Sequence, residues 1–284
     1  MKAPPFAYIR ANSLPEVFEL LATHGDGARL LAGGQSLLAS LNLRLSAPDV
    51  LIDISRVPGL SGITVLRDMV HIGALTTHAE VGNSPDIAAA LPLLAQAAPH
   101  IAHAAIRNSG TFGGSIALAD PAAEWPACCV ALDATFVLES KAGSRRVNAR
   151  DFFQGLYTTD LRPNEVLTAV EIPVSGSQYR SVFLELARRR GDYGIVGVAA
   201  IAKNTKGTLS GVRLAFLGAG HTPLLARKAM AAAEGKLLSA KIIAASSQAL
   251  AEDLDPGGDV HATAATRMQL ARVLTGRALT ALAE

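Results

Sequence analysis

Two short segments carry the chemistry this sequence offers: Ala32-Gly33-Gly34-Gln35-Ser36 and Thr111-Phe112-Gly113-Gly114-Ser115. Each follows apolar or strand-like residues, and the first runs into a stretch with Leu37, Leu38 and Leu41 on one helical side. Paired glycines let a backbone adopt positive φ and approach a ligand closely. Successive N–H groups in such a turn point into one concavity, a nest for phosphate oxygens, and a helix start behind it adds partial positive charge. Ser36, Thr111 and Ser115 offer hydroxyl donors as well. A dinucleotide's pyrophosphate has two charged phosphates, so two converging nests suit it. On the residues alone, a pair of plain strand-to-helix turns explains the pattern equally well.

Other candidates carry less. Gly218-Ala219-Gly220 mimics the start of a nicotinamide-binding fingerprint, but the third glycine position is Pro223 and no strand ending in an acid follows. A turn with Thr222 as N-cap and Pro223 at the first helical position accounts for it. Gly34-Gln35-Ser36 is no nucleophile elbow, because Leu38 replaces the second glycine. His100 and His103 stand three apart on an expected helix without a neighbouring carboxylate or further histidine, which suits packing better than a metal. Cys128 and Cys129 are adjacent, so they provide neither a disulfide framework nor the four thiolates of an iron–sulfur cluster. No nucleophile with its base, and no metal set, stands out.

The elements that must position the two segments alternate early and segregate late. Strands are expected at Phe6–Arg10, Arg29–Ala32 and Val50–Ile54, with a helix after the capping box Ser13-Leu14-Pro15-Glu16 that Gly25 ends. A hairpin at Ile63–Leu66 and Met69–Gly73 precedes a second capping box, Thr77 to Glu80. One helix is expected over Pro92–Ala105 and another through Trp125, then strands near Thr135–Glu139 and Val166–Ile172. Pro173, Ser175, Gly176 and Ser177 read as a domain boundary. Strands near Phe183–Ala187, Gly197–Ala202 and Val212–Phe216 then give way to helices over Pro223–Glu234, Ala240–Glu252 and Ala262–Ala283. That order points to α+β, with helices on one face of an antiparallel sheet.

Half of the 284 residues are hydrophobic, and 26 basic minus 24 acidic residues leaves a formal +2. Nothing resembles the clustered basic face that nucleic acid requires, and Arg188-Arg189-Arg190 reads as a solvated edge. MKAPPFAYIR lacks a signal peptide's apolar stretch, and the longest uncharged apolar run, Gly194–Ala202, is far short of the roughly 18 residues of a membrane span. A cytoplasmic chain without a transmembrane segment is expected.

Longer patterns resemble a known family. AGGQSLL at 32–38 followed by LIDISRVPGL at 51–60, IRNSGTFGGSIALADPAAEWPA at 106–127, RRRGDYGIV at 188–196 and FLGAGHTPLLARKA at 216–229 resemble the medium subunit of the carbon monoxide dehydrogenase and xanthine dehydrogenase type of molybdenum hydroxylase. The resemblance implies a two-lobed FAD-binding domain of the vanillyl-alcohol oxidase-like type at 1–175, with lobes at about 1–57 and 58–175. A smaller α+β domain of the carbon monoxide dehydrogenase flavoprotein type would follow at 178–284. It implies an oxidoreductase subunit that takes electrons from [2Fe–2S] clusters in a small partner, beside a large molybdenum cofactor partner, and passes them to an external acceptor. A dimer of heterotrimers is the implied assembly.

The same resemblance places FAD's pyrophosphate against Ala32, Gly33, Gly34, Gln35 and Ser36 and against Thr111, Phe112, Gly113, Gly114 and Ser115, and it counts Leu31, Leu37 and Leu38 among the residues that bind the cofactor. It puts Ile101 near the isoalloxazine, Leu167 on the adenine side and Tyr193 against the flavin ring. Glu124 stands where the family usually has an Asp that holds ribityl or adenosine hydroxyls. The family often has a Lys near 187 or 188; with Ala187 and Arg188 here, that contact passes to Arg188 or is lost. The absence of an acid–base constellation fits, since flavin electron transfer relies on the cofactor's own chemistry. A self-contained FAD oxidase and a flavin-free scaffold remain the alternatives at this stage.

Overall fold

The structure is a computed structural model that describes residues 2–174, 176 and 178–284. The boundary expected at 173–177 therefore includes two residues, Ser175 and Ser177, outside the described set.

The first lobe contains β1 (Ala7–Arg10), α1 (Leu14–His24), β2 (Ala28–Leu31), α2 (Leu37–Asn42) and β3 (Val50–Asp53). The strands form a parallel sheet in the order β1-β3-β2, and the central β3 is buried throughout. Ser13 caps α1, accepting from the Glu16 N–H at 3.3 Å, but the box is not reciprocal. The Glu16 carboxylate reaches one residue further back to Asn12, which offers both a backbone N–H at 2.7 Å and its side-chain amide at 3.3 Å.

The second lobe runs through β4 (Ile63–Val65), β5 (Met69–Gly73), α3 (His78–Asn83), α4 (Pro85–Ala90), α5 (Pro92–Ala97), α6 (Ala104–Arg107), α7 (Phe112–Leu118) and α8 (Glu124–Ala131). It continues with β6 (Thr135–Ser140), β7 (Gly143–Asn148), α9 (Ala149–Phe152), β8 (Phe153–Gly155), β9 (Thr158–Thr159) and β10 (Val166–Pro173). Its sheet is antiparallel, ordered β4-β5-β10-β6-β7. The capping box at Thr77 and Glu80 is complete.

Two helices expected as single pieces are broken. After α5 the chain tightens into a 3₁₀ turn at Ala98–His100, extends at Ile101, and passes through Ala102 at φ 41° before α6. The break leaves the Ile101 and Ala102 carbonyls without helical partners, and the Arg107 guanidinium donates to both at 2.8 Å. The stretch through Trp125 likewise divides at Ala119, which is left-handed at φ 55° and precedes Asp120-Pro121. The edge strand β7 gave no apolar alternation in the sequence; Arg146 is held to Glu171 across the sheet at 2.8 Å.

The last region has β11 (Tyr179–Ala187), β12 (Gly194–Thr205), β13 (Thr208–Leu217), β14 (Leu224–Leu225), α10 (Arg227–Ala233), β15 (Lys236–Leu237), α11 (Ala240–Asp253) and α12 (Ala264–Ala283). Pro223 does not open a helix: Leu224–Leu225 pairs with β13 instead, and α10 starts at Arg227. The Lys228 and Ala229 N–H groups in its first turn donate to the Asp253 carboxylate at 2.9 Å each. The sheet β11-β12-β13-β14 carries α10 to α12 on one face, where Val198, Ala200, Leu214 and Phe216 join their core. Its other face is not left to water. Phe183, Ala199, Ile201, Ala215 and Leu217 pack into the second lobe's core, against α5 and α8. No helix among the described residues is long and apolar enough to cross a membrane.

Candidate functional site

The first glycine segment leaves β2 and turns into α2. Gly34 has φ 72°, and a Cβ there would press on Leu38 at 3.0 Å and Leu31 at 3.3 Å, so those two leucines flank the turn. The N–H groups of Gly33, Gly34, Gln35 and Ser36 donate to no acceptor among the described residues, and the Ser36 hydroxyl makes no cap bond. The Gln35 side-chain amide folds back on the Gly33 carbonyl at 3.0 Å. Free amides beside a positive-φ glycine are two of the features that an anion nest requires.

The second segment differs from that expectation. Residues 112–115 are not a loop but the first turn of α7, capped by Thr111, and neither Gly113 nor Gly114 has positive φ. Its amides are already engaged: Phe112 donates to Thr76 O and Gly113 to Ala74 O at 2.8 Å each, Gly114 to Thr111 Oγ1 at 3.1 Å, and Ser115 to Thr111 O at 3.1 Å. Glycine is needed here for contact, since a Cβ on Gly113 would stand 2.4 Å from Ala74 Cβ. Among the described residues, what this segment leaves available is the Thr111 N–H and the Ser115 hydroxyl.

The two segments meet. A Cβ on Gly33 would fall 2.1 Å from Ser109 O and 2.8 Å from Gly110 Cα, immediately before Thr111. His78 fixes the second segment from below: its backbone N–H donates to Gly110 O at 2.9 Å, its Nε2 lies 2.7 Å from a Cβ position on Gly110, and its Nδ1 accepts from Trp125 Nε1 at 2.9 Å. Burial, with the Arg107 charge adding, lowers the His78 pKa to about 4, so the ring is neutral and can accept that bond. Leu167 is buried in β10, one residue before Thr168, whose carbonyl takes the Ala74 N–H at 2.9 Å.

A second cluster forms around Ile101 and the 188–193 turn. A Cβ on Gly191 would lie 2.6 Å from Ala102 O, which brings the turn onto the Ile101 break. Ile101 is buried, whereas Tyr193 is 69% exposed. Partial desolvation of the Tyr193 hydroxyl, then the charges of Asp120 and Glu124, raise its pKa. Arg188 is spent locally on Asp192 at 3.2 Å, joined by Arg189 at 3.7 Å. Glu124 opens α8 almost wholly buried; burial, with Asp120 adding, pushes its carboxyl up to about 7.

Sequence reasoning missed Asp120, Tyr157 and Glu185. Asp120 is buried, and the Tyr157 hydroxyl approaches it at 3.4 Å from a tight turn with φ 52°. A lone acid in the apolar strand Val182 to Leu186 was the signal for Glu185. Cys128 and Cys129 are buried and free; burial raises both thiols, so they stay protonated.

A model described as the FAD binding domain in molybdopterin dehydrogenase matches residues 4–175, and one described as the CO dehydrogenase flavoprotein C-terminal domain matches 181–282. The chain belongs to the medium-subunit family of molybdenum hydroxylases. It is 40% identical over 280 residues to the 6-hydroxypseudooxynicotine dehydrogenase complex subunit alpha of Paenarthrobacter nicotinovorans, covering 98% of this chain and 95% of that one. It is 35% identical to the glyceraldehyde dehydrogenase medium chain of Sulfolobus acidocaldarius, covering 98% of each. The solved carbon monoxide dehydrogenase of Hydrogenophaga pseudoflava contains a chain that superposes with a TM-score of 0.97 at 38% identity, covering 99% of this chain and 98% of that one. As a medium subunit of this family, the chain is an FAD-binding oxidoreductase component with the α+β architecture that the resemblance implied.

Proposed function

We propose that the free amides of Gly33 to Ser36 hold the FAD pyrophosphate, that the hydroxyl of Ser115 adds to them, and that Tyr193 covers one face of the flavin ring. The observation that carries this reading is the set of unpaired N–H groups at Gly33 to Ser36, pressed against the start of the second segment. Leu31, Ala32, Leu37 and Leu38 shape the rim of that nest, while Thr111, Phe112, Gly113 and Gly114 give the wall its form. Ile101 lies toward the ring, Glu124 toward the ribityl hydroxyls and Leu167 toward adenine. Arg188 drops out of direct contact, because Asp192 already holds it. Bound FAD supplies the redox chemistry, collecting electrons that arrive singly and releasing them as a pair. The chain's own part is to bind, orient and shield.

The partners in this reading are a small subunit with [2Fe–2S] clusters and a large molybdenum cofactor subunit, as a dimer of heterotrimers delivering electrons to an external acceptor in the cytoplasm. The chain divides into 1–175, with lobes at about 1–57 and 58–175, and 178–284. Relatives whose names cover compounds as different as a nicotine derivative and glyceraldehyde share this subunit type, which fits a substrate bound elsewhere. Co-expression with the neighbouring genes, purification, and assay of FAD, iron and molybdenum test the assignment. All three should co-purify; FAD with neither metal would refute the partners. Tyr193→Ala should speed reoxidation by the acceptor and alter the flavin spectrum, and a variant with both unchanged would remove Tyr193 from the ring.

A further inference from the structure

The exposed ring of Tyr193 stands on a backbone that is fixed on both sides. Ahead of it, Gly191 at φ 80° seats the chain against the Ala102 carbonyl, where a Cβ would stand at 2.6 Å. Behind it, β12 opens on a β-bulge. Ala187 pairs with Gly194 and Leu186 with Val196, so Ile195 has no partner on β11, and pairing with β13 begins only at Gly197. A Cβ on Gly194 would stand 2.8 Å from Leu217 and 3.1 Å from the Glu185 carboxyl, so this backbone has no room to slide.

A bulge frees backbone groups from the ladder and re-aims the side chains beside it. The Ile195 carbonyl freed here is taken by Arg267, near the start of α12. The same guanidinium nitrogen donates to Gly218 O at 3.0 Å, and the other end of the fork holds the Asp259 carboxylate. Gly218 has φ 69°, and a Cβ there would stand 2.5 Å from Ile195 O, so glycine is what lets the two carbonyls lie side by side under one donor. The Gly218 N–H donates in turn to Pro121 O at 2.8 Å. One side chain, itself 11% exposed, therefore ties the bulge behind Tyr193 to the end of β13 and, through Gly218, to the Asp120-Pro121 turn. A planar fork makes these bonds together; the point charge of a lysine does not. A ring as exposed as Tyr193 gains little packing from such order, whereas a ring that must meet a ligand at one angle gains its pre-organisation.

We propose that Arg267 is a positioning residue for Tyr193. From the C-terminal helix it fixes the bulge at Ile195, and with it the angle at which the tyrosine ring meets the flavin and screens it from the acceptor. The inference deepens the reading of Tyr193 given above and rests on it.

The test is a double-mutant cycle in the intact, co-purified complex, with Tyr193→Ala, Arg267→Lys and the two together. Each complex is reduced with dithionite and mixed with dichlorophenolindophenol, and flavin reoxidation is followed by stopped flow. Arg267→Lys should keep its FAD, alter the visible flavin spectrum in the same sense as Tyr193→Ala, and speed reoxidation by roughly twofold or more, the least that coupled neighbours show. The double variant should reoxidise no faster than Tyr193→Ala alone, because the ring that Arg267 positions is already gone. Effects that multiply instead would mean that Arg267 acts by another route, and would overturn the proposal. So would an Arg267→Lys complex that melts at a lower temperature but keeps the wild-type rate and spectrum, since its arginine would then be structural alone. Should Arg267→Lys not assemble, Asp259→Asn takes its place in the cycle, loosening the guanidinium from a half-exposed position without removing it. The same lack of additivity supports the proposal there, and a wild-type rate and spectrum overturns it. Tyr193→Ala indistinguishable from wild type would sink the flavin reading of Tyr193 first, and this inference with it.

Discussion

The two glycine segments are spelled alike and are built for different work. Around Gly33 and Gly34 the amides face outward without partners, held open by a positive φ and by Leu31 and Leu38. Around Gly113 and Gly114 every amide is committed, to Thr76, Ala74 and Thr111, and the backbone is helical. The first segment keeps free N–H groups, the kind of donor that an anion needs. The second is a bearing surface whose missing side chains let Ala74 and α7 come together. Glycine therefore signals a ligand only when its neighbours' N–H groups are left over, and a sequence does not display that remainder.

The strongest way to break this comparison is Gly33→Ala. The new Cβ would meet backbone at 2.1 Å, so the segments must part, at a cost of about 1–3 kcal/mol or more. Most FAD should be missing from the purified complex, read from the ratio of flavin to protein absorbance. Full flavin occupancy would show that the two segments need not touch for binding.

The support beneath the second segment is open to an acid titration. His78 titrates at about 4 in the folded chain against an ordinary 6.5, so the unfolded chain binds its proton first. The stability held by its neutral form is complete above about pH 6.5 and falls as pH drops toward 4. Trp125→Phe, which removes the donor to His78, should cost about 1–3 kcal/mol at neutral pH by chemical denaturation. Little change there would mean that the ring pair is not what carries Gly110.

Thr111→Val is the gentlest probe. It removes the cap on α7 and should lower stability by about 1 kcal/mol while FAD content stays near that of the wild type. A large flavin loss instead would make the Thr111 hydroxyl a ligand and bring the two segments closer in role.

Much of the fold was legible because it rests on local signals. The Thr77–Glu80 box, the Ser13 cap and most strands are found within a residue or two of their expected places. The misses have a common physical origin. Ala102 and Ala119 take positive φ, which alanine does not announce, because Arg107 and the Asp120-Pro121 turn organise those breaks from outside the local sequence. Pro223 looked like a helix start, but pairing of Leu224 with Phe216 claimed the next residues for the sheet. At the site, the glycine segments were visible as residue types, whereas the spent amides of the second and the enclosed oxygen of Glu185 depend on neighbours far along the chain.

The sheet wedged between two sets of helices has a mechanical corollary. Severing the chain between β10 and β11 would bare Phe183, Ile201 and Leu217 on one piece and the matching flank of α5 and α8 on the other. Neither fragment would keep a finished interior, so heating should melt both halves of the subunit in one step, and calorimetry should record a single peak where the family's two sequence modules would suggest a pair.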